Sequence, residues 1–270
     1  MSSPESISRK QPSHRRSRVN QRLLTVPPGA VLTSAWLSEN GISNKLADYY
    51  VRSGWLHRVG DGAFTVQSET PNWHGAVFGL QQGGRTVHPG GRTALELTGH
   101  AHFIPMGDRY PIYLFSLPTE RLPVWIKKLS WSERVRHHRT SFLPADLGLQ
   151  VFNDNAVAIR ISTPERAIFE LLEYRTLDDS SYEHANLLFE SLRTLRPKLV
   201  QSLLEACTSI RVKRLFLHLA EKHDHAWFKQ LVLAKVSLGI GKRMLFAGGR
   251  FDSKYLITVP GRSDERSDYL

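Results

Sequence analysis

Five side chains between Asn44 and Arg52 could do chemistry on a nucleic acid. Asn44, Lys45, Asp48, Tyr49 and Arg52 fall at i, i+1, i+4, i+5 and i+8, one side of a helix. Asn can pair bidentately with adenine, and Lys can reach guanine or a phosphate. Tyr and Arg donate well to phosphate oxygens. Asp48 has the wrong sign for a purely electrostatic DNA face. The opposite side carries Leu46, Ala47, Tyr50 and Val51, an apolar stripe made to be packed. His57 and Arg58 follow on a predicted strand, within reach of an adjacent backbone or minor groove.

The elements that must position these groups are legible in residues 31–66. Thr33 can cap a first helix, and Ser43 a second. Gly41 supplies a tight turn between them, and Gly54 ends the second. Two apolar-alternating runs, Trp55–Val59 and Ala63–Val66, flank Gly60-Asp61-Gly62, which is hairpin chemistry. Helix, glycine turn, helix and β-wing is the order of a winged helix-turn-helix. The expected DNA-binding residues are therefore Ser43, Asn44, Lys45, Tyr49, Arg52, His57 and Arg58. Two blander readings stand beside this one. The helix could be an ordinary amphipathic one before an unrelated hairpin, or the winged domain could serve protein contacts.

Residues 1–17 are polar, basic and without apolar period, so they are expected to form a disordered tail. Arg15, Arg16 and Arg18 could lie along DNA, or the tail could be merely solvated. Residues 18–26 read as a helix packed by Val19, Leu23 and Leu24, broken by Pro27-Pro28-Gly29. A winged domain is thus expected over 18–88, a C-terminal domain over 89–260, and a frayed tail over 261–270.

The C-terminal part reads as mixed α and β. Within the N-terminal domain a helix is expected after the wing, at 73–81; the C-terminal part opens with a short one at 92–97 after a His-Pro-Gly-Gly loop. That loop lacks either nucleotide-binding fingerprint and reads as structural. Strands are expected at 111–118, 122–129, 134–143, 147–153 and 157–163. On the third of these, Arg134, Arg136 and His138 would share a face that could meet a polyanion or serve as a charged edge. Thr163-Pro164-Glu165 is a strong helix start. Further helices are expected near 181–194, 197–208 and 211–223, the last with Val212, Leu215, Phe216 and Leu219 inward. Short strands should return over 231–259. The fold class is α+β: an N-terminal winged helix-turn-helix, then a small sheet and a helical cluster.

Composition sets the outer bounds. The chain has 270 residues, 41% hydrophobic and 23% charged, as in a soluble globular protein. Its net charge of +11 favours a polyanionic partner. One cysteine, Cys207, excludes an internal disulfide and a Cys-based metal cluster, and it reads as a small buried residue. No signal peptide is evident, and no run reaches the roughly 18 apolar residues of a membrane helix. The expected location is the cytoplasm.

Catalytic chemistry is harder to find. The 12 histidines include His218, His223 and His225, but no HExxH pattern or ligand triad accompanies them. There is no GxSxG elbow, Walker loop or CxxC. No metal, no cofactor and no enzymatic activity are expected.

The motifs together resemble the AbiEi family, antitoxins of type IV toxin–antitoxin systems of bacterial abortive infection. The resemblance is carried by PPGAVLTSAWLSENGIS, YVRSGWLHRVGDGAF and HPGGRTALELTGHAHF, then by STPERAIFELL, RVKRLFLHLAEKHDHAWFKQL and LGIGKRMLFAGGRFDSKYLITVP. It spans roughly residues 18–260. It implies an N-terminal domain that binds inverted repeats in its own promoter and represses the operon. It implies a C-terminal domain that neutralises a nucleotidyltransferase-like toxin, without a stable complex. Arg166, Arg211, Lys213 and Arg214 are the motif positions there, with Arg134 and Arg136 as further basic candidates. Each has a bland alternative: a helix start, or the solvated side of a packed helix. Two other functions stay open: a nucleic-acid-modifying defence enzyme targeted by the winged domain, or a module that docks its toxin directly.

Overall fold

The computed structural model describes residues 21–66, 71–100, 110–154, 157–174 and 178–261. Residues 15, 16 and 18, the tail beyond 261 and Val19 lie outside the described residues, so the expectations placed on them are not addressed. The chain separates into two compact units. The first comprises Met1–Gly84 with Pro123–Ser130 and Asn153–Val157. The second comprises Arg85–Leu122, Trp131–Phe152 and Ala158–Leu270. No helix among the described residues is long and apolar enough to cross a membrane. The architecture is α+β, with small sheets and many helices.

The first unit starts with a helical stretch at residues 21–24 and then β1 (Leu32–Thr33) and α1 (Ser34–Glu39). Thr33 caps α1, its Oγ1 accepting the Trp36 N–H at 3.2 Å. α2 (Asn44–Arg52) follows, with the Ser43 hydroxyl accepting from the Leu46 N–H at 3.3 Å. Gly41, at φ +80°, makes the turn between the helices. β2 (His57–Gly60) and β3 (Ala63–Thr65) form the hairpin, and β1 adds to it in the order β1-β3-β2. Gly62 sits at φ +70°, and the ladder shifts register between Arg58 and Gly60, as in a bulged hairpin. Leu23, Leu37, Ile42, Ala47, Tyr50 and Phe64 share one core. Leu24, expected in that core, is 70% exposed.

α3 (Trp73–Gln82) then lies against the segment entering β1. Gly75 and Gly79 make this approach possible: a Cβ on Gly79 would stand 2.2 Å from the Val31 carbonyl oxygen. The Val31 N–H also donates to the Gly75 carbonyl at 3.0 Å.

The second unit begins with β4 (His88–Pro89) and α4 (Gly91–Leu97). β4 pairs antiparallel with β5 (Ile112–Ser116), and β5 pairs parallel with β6 (Val135–Arg139). β7 (Leu149–Asp154) and β8 (Val157–Ser162) pair with each other, with Asn153–Val157 counted in the first unit. Four helices follow: α5 (Pro164–Tyr174), α6 (Asp179–Ser191), α7 (Pro197–Ala206) and α8 (Ile210–Lys222). Phe216 of α8 is at the centre of their core, 4.4 Å from Phe169 and 5.3 Å from Phe189 between ring centres. Val212, Leu215 and Leu219 are buried beside it as the periodicity predicts. β9 (Arg250–Asp252) and β10 (Ile257–Val259) close the unit.

Two expected strand regions differ. Residues 122–129 are not a strand: Val124–Lys128 form a 3-10 turn with Trp125 and Ile126 buried. Between 231 and 249 there is a 3-10 turn (Leu233–Lys235) but no strand, only an isolated bridge from Arg243 to Ile257.

Candidate nucleic-acid interface

α2 divides as its sequence predicts. Ala47 and Tyr50 are buried, and Leu46 and Val51 pack partly against the same core. Asn44, Lys45, Asp48, Tyr49 and Arg52 are exposed, Tyr49 by 56%. No described side chain forms a hydrogen bond or ion pair with Asn44, Lys45 or Arg52, so their donors are free. Ser43 is exposed too, but its hydroxyl oxygen is engaged in capping the helix.

His57 and Arg58 are exposed on β2. Arg58 is not a free cation. Its Nη2 sits 2.7 Å from Asp48 Oδ1, and its guanidinium lies 5.0 Å from the Phe64 ring centre. The acid that seemed misplaced on a DNA face is therefore half of an ion pair between helix and hairpin.

Two further cations stand beside the hairpin. The 3-10 turn Val124–Lys128 packs on β2, where a Cβ at Gly60 would come within 2.6 Å of Trp125 Cβ and 3.6 Å of Lys128 Cδ. Lys127 and Lys128 are exposed there. They are more than 60 residues from the hairpin in sequence, and a strand was expected in their place, so no local signal pointed to them.

The basic residues of the second unit are placed differently. Arg166 is 4% exposed, bonded through Nε to Glu170 at 2.7 Å and through Nη1 to the carbonyls of Pro144 and Leu147. Lys213 and Arg214 are 4% and 1% exposed, so this side of α8 is not solvated as the charges suggested. The Arg214 guanidinium donates to the carbonyls of Leu238, Gly239, Gly241 and Leu256 and staples that segment to the helix. Arg211 is partly buried against Glu173, at 3.0 Å. Arg134 lies just before β6 and donates to the Tyr110 carbonyl, while Arg136 is exposed and donates to Glu133 and Val135 carbonyls. His138 does not share an open face with them; it stacks on Phe115 at 5.2 Å.

The His-Pro-Gly-Gly loop before α4 is filled from within. Glu170 Oε2 accepts the Gly91 N–H at 3.0 Å, and its Oε1 lies 3.0 Å from His88 Nε2. Burial pushes the Glu170 carboxyl up, but His88 and the Arg166 charge outweigh it and hold the group well below the usual carboxylate range. Burial likewise pushes the Cys207 thiol up to about 11, which favours the protonated thiol at neutral pH. Among the described residues no cluster of three His, Cys, Asp or Glu side chains could hold a metal ion.

Comparisons with known proteins bear on both units. No curated protein matches the sequence. Among solved structures, the crystal structure of the RV2827C protein from Mycobacterium tuberculosis is similar, with a TM-score of 0.54 and 16% identity. The match covers 93% of this chain and 92% of that one, a likeness of fold. Residues 15–106 match the family described as "Transcriptional regulator, AbiEi antitoxin N-terminal domain". Residues 109–260 match "Transcriptional regulator, AbiEi antitoxin, Type IV TA system". The chain belongs to the AbiEi antitoxin family of transcriptional regulators from type IV toxin–antitoxin systems.

Proposed function

We propose that the first unit is a winged helix-turn-helix that binds inverted repeats in the promoter of its own operon and represses it. The observation that carries this is the outer face of α2, where Asn44, Lys45 and Arg52 are exposed and have no partner among the described residues. A solvated amphipathic helix can carry such a face too, but Asn, Lys and Arg on one exposed side after a helix and turn are the groups that suit a major-groove reader. Asn44 and Lys45 read base edges. Tyr49, Arg52, His57, Lys127 and Lys128 contact phosphates. Arg58 is oriented by Asp48, and Ser43 acts chiefly by capping α2. If the repeats are inverted, two copies bind per operator. Arg15, Arg16 and Arg18 add a basic arm.

The second unit neutralises the toxin of the same operon, a nucleotidyltransferase-like protein, without forming a stable complex. Arg166, Lys213 and Arg214 support it from inside the fold. Arg136 and Arg211 are the more accessible of the basic candidates, and Arg134 is held by its backbone contact. The test is a reporter driven by the chain's own upstream DNA. Repression by the wild type and its loss with Lys45→Ala, at equal protein level, supports the reading. Equal expression with and without the protein overturns it.

A further inference from the structure

In the second unit, three residues from three separate elements form one hydrogen-bonded chain on the wall of a cavity. Asp252 ends β9. Its Oδ1 accepts the backbone N–H groups of Lys254 at 2.8 Å and Tyr255 at 3.1 Å, which fixes the carboxylate. Its Oδ2 lies 2.6 Å from His218 Nδ1 on α8. An ionised carboxylate can only accept, so the His218 proton is on Nδ1. Nε2 is then the acceptor for the Tyr182 hydroxyl of α6, at 3.1 Å.

The cavity holds about 460 Å³, far more than a single ion needs. Lys222 and Arg250 line it together with the relay. Both are exposed, and no described carboxylate pairs with either. Lys222 Nζ is 5.5 Å from the Tyr182 ring centre. Of the acids nearby, Asp252 is committed to His218 and Glu221 to Lys254, while Glu183 also lines the cavity. A hydroxyl, an ammonium and a guanidinium from three elements thus line one cavity. Three donors suit a tetrahedral anion with several oxygens better than a planar carboxylate. The remaining volume, bordered by Val259 and Pro260, suits an organic group.

We propose that this cavity binds a phosphate monoester of about nucleoside size, held by Lys222, Arg250 and the Tyr182 hydroxyl. Burial pushes the Tyr182 hydroxyl up to about 12, so it arrives as a donor. Burial also holds free His218 below its usual range, against the pull of Asp252. When Tyr182 turns its proton to the ligand, its oxygen becomes the acceptor for a proton on His218 Nε2. Ligand binding therefore favours protonation of His218 at Nε2. The groups facing that ring are Asp252 and Arg250 from β9, Lys222 from its own helix, Tyr182, and Tyr255.

The inference is independent of DNA binding. The test is calorimetric titration of the full chain with AMP, inorganic phosphate and adenosine, each in two buffers of different ionisation enthalpy near neutral pH. AMP should bind below about 1 mM. Adenosine should not, and AMP binding should take up a proton. Lys222→Ala and Arg250→Ala alter exposed side chains and should each weaken AMP by about tenfold or more. Tyr182→Phe should weaken it similarly and abolish the proton uptake, with an unchanged unfolding temperature as the folding control. No heat from AMP up to about 1 mM, or affinity unaltered in Lys222→Ala and Arg250→Ala, would overturn the proposal. Inorganic phosphate binding as tightly as AMP would overturn the assignment to an ester.

Discussion

Asp48 of α2 and Arg58 of β2 form an ion pair at 2.7 Å that ties the helix to the hairpin. Both side chains are about half exposed, at 58% and 45%, so the pair contributes only ~0.2–1 kcal/mol to stability. Its larger effect is on the surface. It cancels one negative charge and points one guanidinium across the Phe64 ring.

Removing Asp48 should therefore change DNA binding more than stability. Asp48→Ala deletes a charge that repels phosphates and releases Arg58 to meet one. Binding to a scrambled duplex should tighten, and the salt dependence should steepen by up to about one ion. Anisotropy titrations at several salt concentrations measure both. Unchanged affinity and slope would place Asp48 away from DNA.

Asn44→Ala and Lys45→Ala should lower the preference for the operator over scrambled DNA by about 1–3 kcal/mol each, if each makes a good base contact. Lys127→Ala or Lys128→Ala should instead weaken both DNAs alike, because phosphate contacts carry no sequence information. Competition titration separates the two patterns. Equal losses on both DNAs for all four variants would remove α2 from base readout.

Gly79→Ala should destabilise the first unit. In an open helix this change would stabilise by up to about 1 kcal/mol. Here the new methyl would meet the Val31 carbonyl oxygen at 2.2 Å, so α3 must shift, at a cost of about 1–3 kcal/mol. The sign of the change in Tm decides whether α3 packs this closely.

Acid should loosen the second unit through two buried carboxylates. Burial pushes Glu165 up, but hydrogen bonds from the Arg196 guanidinium and backbone N–H overcome it and hold the group at about 2. Glu170 is likewise held low by His88 and Arg166. A carboxyl depressed in the folded state binds protons more readily when unfolded. Its stabilisation is present above the ordinary value of 4.5 and is lost as pH falls toward 2. Unfolding midpoints measured from pH 6 down to pH 2.5 should fall mainly below 4.5, and less so in Glu165→Gln. A flat profile would contradict the network.

Much of the first unit was legible because its signals are local. Capping residues, turn glycines and the 3.6-residue period all lie within residues 31–66 and agree with one another. β1 was not legible: two residues are too few to show a period. Residues 122–129 read as a strand from their Val-Trp-Ile run between turn residues, yet Trp125 packs on Gly60 and the segment winds into a 3-10 turn, a tertiary contact overriding local pattern. Lys213 and Arg214 looked solvated because charge normally is. Arg214 is buried because four carbonyls from a segment 24–42 residues away satisfy it. The Tyr182–His218–Asp252 chain had no signal at all, since its members are 34 and 36 residues apart and none forms a motif alone.

In the proposed function, α2 and the hairpin read the operon's own promoter. The direct measurement is a titration of the full chain on its upstream DNA and on scrambled DNA of equal length, at several salt concentrations. Tighter binding to the upstream sequence is expected, with a steep fall in affinity for both DNAs as salt rises. Equal, weak binding to the two DNAs would contradict it and would make the first unit a module for protein contacts.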